Sequence, residues 1–193
     1  ALQINFLLNE MIVQNCEYCF MEVSSHAISQ GRISSVNFTG GVFTNLTQDH
    51  LDYHNSFAEY RDVKKSFFDV LPKSAFALTN KDDKNGMKMI EGTKAQQYTY
   101  SLKSVSNYKC RVLENHFEGM LLNINKVDVW VKLFGDFNAY NMLSVYAVAN
   151  QFAFEDNEVL TALSMLTSPE GRFQYLQSEE KITAIVDYAH TDD

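Results

Sequence analysis

The chain has 193 residues, 46% of them hydrophobic, enough for a real core in one domain, or in one domain and part of another. Its net charge of −8, with no block of basic residues, excludes a binder of nucleic-acid backbone. No apolar run approaches the ~18 residues of a membrane-inserted span, residues 1–13 lack the basic start and cleavage site of a signal peptide, and three cysteines, an odd number, suit a reducing compartment.

In chain order, Leu2, Phe6, Leu7, Met11 and Val13 keep a rough helical period over residues 2–14. Residues 17–23 read as a buried strand and 25–30 as a short helix. The glycine-led, β-branched and aromatic stretch at 38–44 predicts another strand. Ser56, with Glu59 three residues later, forms a capping box ahead of a helix over 57–70. Strand 74–79, a polar turn at Asn80-Lys-Asp-Asp83 and a helix over 84–91 follow. This alternation predicts an α/β fold with a mainly parallel, Rossmann-like sheet flanked by helices. The pattern then changes. Short strands at 97–101, 107–114, 117–124 and 127–133, with hairpin turns at Glu118-Gly119 and Asn125-Lys126, predict a smaller antiparallel subsheet over about 97–133. Helices at 137–152 and 156–166 and strands at 172–178 and 181–187 complete the chain.

The stretch from Thr44 to Lys64 holds the densest chemistry. Residues 45–54 carry two Asp and two His, directly after a presumed buried strand. On the helix that follows, Lys64 lies four residues after Tyr60 and four before Phe68, on the apolar stripe, whereas Lys65 is turned about 100° away, toward solvent. A lysine on such a stripe must snorkel, shift its pKa or find a partner. His50 and His54 share the i, i+4 spacing of zincins, but Leu51 stands where their general base belongs and the segment precedes the helix cap. Cys16 and Cys19 form a C-x-x-C with no second pair to complete a zinc site; they read as incidental, partly buried thiols. Glu22, at the end of its predicted strand, is either an exposed terminus or a paired or metal-bound acid. Ser24 and Ser25 read as helix caps rather than nucleophiles, Asn138 as an N-cap, and Arg172 as a surface arginine.

Taken together, these pieces resemble a known family. Glu22-Val-Ser-Ser-His-Ala27 with Gln30 and Arg32, Thr44-Asn-Leu-Thr-Gln-Asp-His-Leu-Asp-Tyr-His54, Phe134-Gly-Asp-Phe-Asn-Ala-Tyr-Asn141, Glu170-Gly-Arg-Phe-Gln174 and Val186-Asp-Tyr-Ala-His-Thr191 resemble, in order, five motifs of the Mur ligases. Among these the wording is nearest to the members that add the third residue to UDP-MurNAc-L-Ala-D-Glu in peptidoglycan synthesis. The resemblance implies an ATP-dependent ligase that joins a carboxylate and an amine through an acyl phosphate. It implies a monomer in the bacterial cytoplasm, whose partners are the UDP-MurNAc-dipeptide, ATP and an amino acid, either meso-diaminopimelate or L-lysine. By the same resemblance, Glu22 and His50 would bind Mg²⁺, Lys64 would be carbamylated, and Ser24, Gln30 and Arg32 would contact the muropeptide. Asn138 would read the adenine, and Arg172 and Asp187 would hold the phosphate–ribose part of ATP.

The family's phosphate loop, G-T-N-G-K-T-[TS], is absent from these residues. The expectation is therefore a central ATPase domain over 1–175 without its phosphate-loop start, then a linker and the first strand of a C-terminal ligase domain over 176–193, inactive as an isolated chain. Two alternatives stand beside it: a folylpolyglutamate synthetase-like ligase, and a non-catalytic module binding nucleotide or muropeptide.

Overall fold

The computed structural model describes residues 2–47, 53–177 and 182–188. Six strands form one sheet in sequence order: β1 (Gly40–Phe43), β2 (Phe76–Asn80), β3 (Gln96–Ser101), β4 (Tyr108–His116), β5 (Gly119–Ile124) and β6 (Val127–Val131). β1 to β4 pair in parallel, and β4 to β6 form antiparallel hairpins. The fold is α/β, as expected. The antiparallel part is narrower than the spacing predicts, because β3 belongs to the parallel half. It pairs along its length with β2, and only its last two residues meet the start of β4, also in parallel. Close spacing of short strands signalled hairpins, but the connection after Ser101 instead loops back and re-enters the sheet in the same direction.

The helices in chain order are α1 (Leu2–Val13), α2 (Ser25–Ser29), α3 (Phe57–Asp69), α4 (Gly86–Ile90), α5 (Asp136–Gln151) and α6 (Asp156–Met165). A separate antiparallel pair, β7 (Gln174–Gln177) with β8 (Thr183–Val186), follows. Two buried clusters flank the sheet. β2 divides them by the period-2 rule: Phe76 and Leu78 belong to the cluster with α5 and α6, and Ala77 to the cluster with α3 and α4. With both faces covered, all five residues of β2 are buried. Among the described residues, no helix is long and apolar enough to cross a membrane.

Local chemistry sets several element ends. Ser56 caps α3 by accepting from the Glu59 amide at 3.2 Å, and Glu59 returns its carboxylate to the amide of Asn55, one residue earlier than a reciprocal box requires. The β5–β6 turn falls on Asn125 and Lys126, both with positive φ (47° and 74°), the backbone of a type I′ hairpin. The β4–β5 turn is Phe117 and Glu118, one residue earlier than expected, because Gly119 already pairs with His116. Asn138 is no N-cap: Gly135 holds that place, and Asn138 lies in the first turn of α5.

Residues 17–23 are not a strand. Composition supplied the β-propensity, but a strand exists only where its amides find a partner. Among the described residues β1 pairs with β2 alone, and a cavity lies between its other edge and residues 17–23. Cys16, Cys19 and Phe20 are exposed there, so the two thiols are not partly buried.

Two glycines are required by close packing. A Cβ on Gly41 would lie 2.7 Å from the Phe67 ring, so this glycine lets α3 approach the sheet. A Cβ on Gly86 would lie 1.9 Å from the Asn80 carbonyl oxygen, a backbone atom that cannot swing aside. Gly86→Ala is therefore expected to destabilise the protein by roughly 3 kcal/mol, the upper range for overpacking. Chemical denaturation checks this; a loss under about 0.5 kcal/mol, as at an ordinary surface site, would contradict it.

Candidate functional site

An open cavity of about 890 Å³ lies along the free edge of β1 and past its carboxyl end. Glu22, Thr44, Asn45, Thr47, Tyr60 and Lys64 are among the residues lining it. Loops beyond the carboxyl ends of parallel strands are where open α/β sheets hold their ligands. Glu22 and Lys64 thus share one cavity, although they come from a loop and a helix 42 positions apart. His50 lies outside the described residues.

Lys64 is half-buried on α3, with its Nζ 5.5 Å from the centre of the Tyr60 ring. Helical phase does separate it from Lys65, but Lys65 does not stand in solvent as expected. Its side chain is 19% exposed and paired with Asp69 at i+4, which folds the lysine back along the helix. Lys64 lines the cavity and Lys65 does not.

Ser24, Gln30 and Arg32 cluster around α2. Ser24 is its N-cap, accepting from the Ala27 amide at 3.2 Å. Gln30 and Arg32 are exposed, and the Arg32 Nε donates to the Gln30 side-chain oxygen at 2.9 Å. The Tyr53 hydroxyl reaches the same group, 3.4 Å from Ser29 Oγ. Hydrogen bonds with Ser29 and Gln30, together with the Arg32 charge, hold its phenol below the ordinary range.

A second group gathers at the start of α5. Asn138 is buried, donates to the Phe134 carbonyl at 2.8 Å, and accepts from Asn141 at 3.3 Å. The Phe173 ring sits 4.9 Å from Phe134 and 5.0 Å from Phe137, and the Phe173 amide donates to Asp187 at 2.8 Å. The chain of contacts through Phe173 brings Asn138, Arg172 and Asp187 into one neighbourhood, with Arg172 and Asp187 exposed.

The two groups are tied together by a pair of acids in the polar turn that follows β2. Asp82 accepts from Ser101 Oγ (2.7 Å), the Leu102 and Lys103 amides (2.8 and 3.0 Å), Ser104 Oγ (2.9 Å) and the Tyr140 hydroxyl (3.0 Å). Burial alone would raise its carboxyl, but the donated hydrogen bonds outweigh it and pull the pKa down to about 2. Asp83 accepts from the Leu46 amide at 3.1 Å, fixing the loop that leaves β1, and from the Asn85 amide at 2.7 Å. Two adjacent acids, one residue past the end of a fully buried strand, are the available signal.

The family profile for the Mur ligase middle domain matches residues 1–149. The chain belongs to the Mur ligase family. It is 56% identical over 190 residues to the UDP-N-acetylmuramoyl-L-alanyl-D-glutamate–2,6-diaminopimelate ligase of Phocaeicola vulgatus, an alignment covering 98% of this chain and 39% of that protein. The protein of the same name from Cytophaga hutchinsonii is 47% identical over 193 residues, covering 100% of this chain and 40% of the relative. The chain thus spans about two-fifths of the length of these curated relatives. The fold matches the MurF crystal structure from Acinetobacter baumannii with a TM-score of 0.70 at 15% identity, covering 79% of this chain and 34% of that one.

The packed core of this Mur ligase middle domain runs past the matched span, since Val159, Leu160 and Leu163 of α6 are buried in the larger cluster. Its Asp82 gives a stability prediction. The folded pKa lies below the ordinary 3.8, so the contribution is fully present above about pH 4 and disappears as the pH falls through about 2. Asp82→Asn is expected to cost roughly 1 kcal/mol at pH 7, once the shift is discounted for solvent screening of this partly exposed carboxylate, with the gap to wild type closing between about pH 4 and 2. Urea titrations across that range measure it; a gap independent of pH would show that the carboxylate charge is not what holds the loop.

Proposed function

We propose that this chain is the middle domain of a UDP-N-acetylmuramoyl-dipeptide ligase that adds 2,6-diaminopimelate, the third residue of the peptidoglycan peptide. The amino acid comes from the names of the relatives, which are 47% to 56% identical in the two cases above. The observation that carries the site is the shared cavity: Glu22 and Lys64 on its wall, and α2 with Ser24, Gln30 and Arg32 beside it. In this reading residues 1–175 are the nucleotide-handling domain, and 176–193 lead into the next one.

The reaction forms an amide. The substrate carboxylate takes the γ-phosphoryl group of ATP, and the incoming amine then displaces phosphate. Both steps gather negative charge and need close positioning of the reacting groups. Mg²⁺ is the cation expected to neutralise that charge. Among the described residues no three His, Cys, Asp or Glu side chains gather to hold a metal. What the cavity offers is the Glu22 carboxylate and, if Lys64 carries a carbamate, two more oxygens of the type Mg²⁺ prefers. The donor chemistry fits, with His50 as the remaining proposed ligand. In this reading a carbamate would turn Lys64, on the cavity wall, into an anion that can sit beside a cation. Arg32, held by Gln30, presents a fixed guanidinium to the anionic muropeptide. Asn138, with Arg172 and Asp187 across Phe173, would receive the adenosine end of ATP.

The full-length parent, supplied with UDP-MurNAc-dipeptide, ATP, Mg²⁺ and 2,6-diaminopimelate, tests this reading. Lys64→Ala is expected to lower kcat by about 10²–10³-fold, the range for removing one preorganised electrostatic group. Lys65→Ala is expected to stay within about twofold, since it removes only a pair with Asp69 on the helix surface. An active Lys64→Ala enzyme beside an inactive Lys65→Ala enzyme would overturn the assignment.

A further inference from the structure

His54 stands outside every role given so far, yet it is among the most buried polar residues of the chain, 2% exposed. Its Nε2 shares a hydrogen bond of 2.9 Å with Ser25 Oγ, and Ser25 is fully buried. The partners lie 29 positions apart, on different elements. Ser25 is the first residue of α2, directly after the N-cap Ser24. His54 immediately precedes the Asn55-Ser56 cap of α3, and its ring lies 5.2 Å from that of Tyr60. Tyr60 in turn lies beneath the Lys64 ammonium. On the other side, the Tyr53 ring packs against His26 at 4.0 Å, and its hydroxyl meets Ser29. Lys64, Tyr60, His54 and Ser25 thus form an unbroken line of contacts from the cavity wall to the root of α2.

We infer that His54 is a positioning residue, whose buried hydrogen bond to Ser25 fixes α2 against α3 and so holds Gln30 and Arg32 in register with Lys64. The inference rests on the reading of α2 as the muropeptide-contacting element. The physical reason is the length of α2. Five residues make a little over one turn, too short to hold a position by its own hydrogen bonds. Its place must come from tertiary contacts, and this is a directional, fully desolvated one at its first residue. A buried polar pair of this kind is costly to leave half-made, so α2 should be held in one arrangement rather than several.

The test uses steady-state kinetics of the full-length enzyme with five variants. Ser25→Ala removes one oxygen, and His54→Phe keeps a ring against Tyr60 without the bonding nitrogen. Each is expected to raise KM for the UDP-muramoyl-dipeptide about tenfold, matching loss of one buried hydrogen bond, with kcat and KM for ATP within twofold. The double variant should be no worse than either single one, and His54→Gln, which restores a donor and acceptor, should recover most of the affinity. An unchanged muropeptide KM in Ser25→Ala would overturn the inference. So would equal rises in both KM values accompanied by a fall in Tm, because that is the mark of general loosening. Arg32→Ala separates this from failure of the underlying reading. If Arg32→Ala raises the muropeptide KM and Ser25→Ala does not, the coupling is wrong and the site stands; if neither does, α2 is not the muropeptide element.

Discussion

Two neighbouring carboxylates at the end of the most buried strand organise the working edge of this domain. β2 sits between two helical layers with both faces covered, so the chain that leaves it has a fixed origin. Asp82 and Asp83 carry that fixity outward in opposite directions. Asp83 holds the amide of Leu46 and thereby the exit of β1, beside the cavity shared by Glu22 and Lys64. Asp82 holds the connection between β3 and β4 and, through Tyr140, the first turn of α5, where Asn138 lies. All five donors to Asp82 are backbone amides or hydroxyls, which stabilise a carboxylate without adding a competing cation. A carboxyl held this way stays ionised well below the ordinary carboxylate range.

The parallel half of the fold was legible because its strands alternate with capped helices, and both signals are local. Ser56 with Glu59 marks the start of α3, and Asn125-Lys126 marks the β5–β6 turn. The failures came where pairing rather than composition decides. Residues 17–23 have the residues of a buried strand but no strand partner among the described residues, and Gln96–Ser101 looks like a hairpin strand but pairs in parallel with β2. A sequence shows how willing a segment is to be a strand, not which edge is open to receive it.

Much of the candidate site was also legible, though unevenly. Helical phase put Lys64 on the apolar stripe, and the cavity lies on that side. The same phase argument sent Lys65 into solvent, and missed that Asp69 folds it back onto the helix. The turn at Asp82 and Asp83 is legible, but a single sequence does not reveal that five donors converge on one of them. The bond between His54 and Ser25 was invisible for a similar reason: it joins residues 29 positions apart, and each has an adequate local explanation as loop or cap.

The proposed site depends on Lys64, and not Lys65, lining the cavity. The most direct measurement is ¹³C NMR of the full-length enzyme equilibrated with ¹³C-bicarbonate, since a carbamate carbonyl is chemically distinct from bicarbonate and from side-chain carboxylates. The account predicts one protein-bound carbamate signal in the wild type, lost in Lys64→Ala and retained in Lys65→Ala. A signal that survives in Lys64→Ala and vanishes in Lys65→Ala, or no carbamate signal in an active wild-type enzyme, would contradict it.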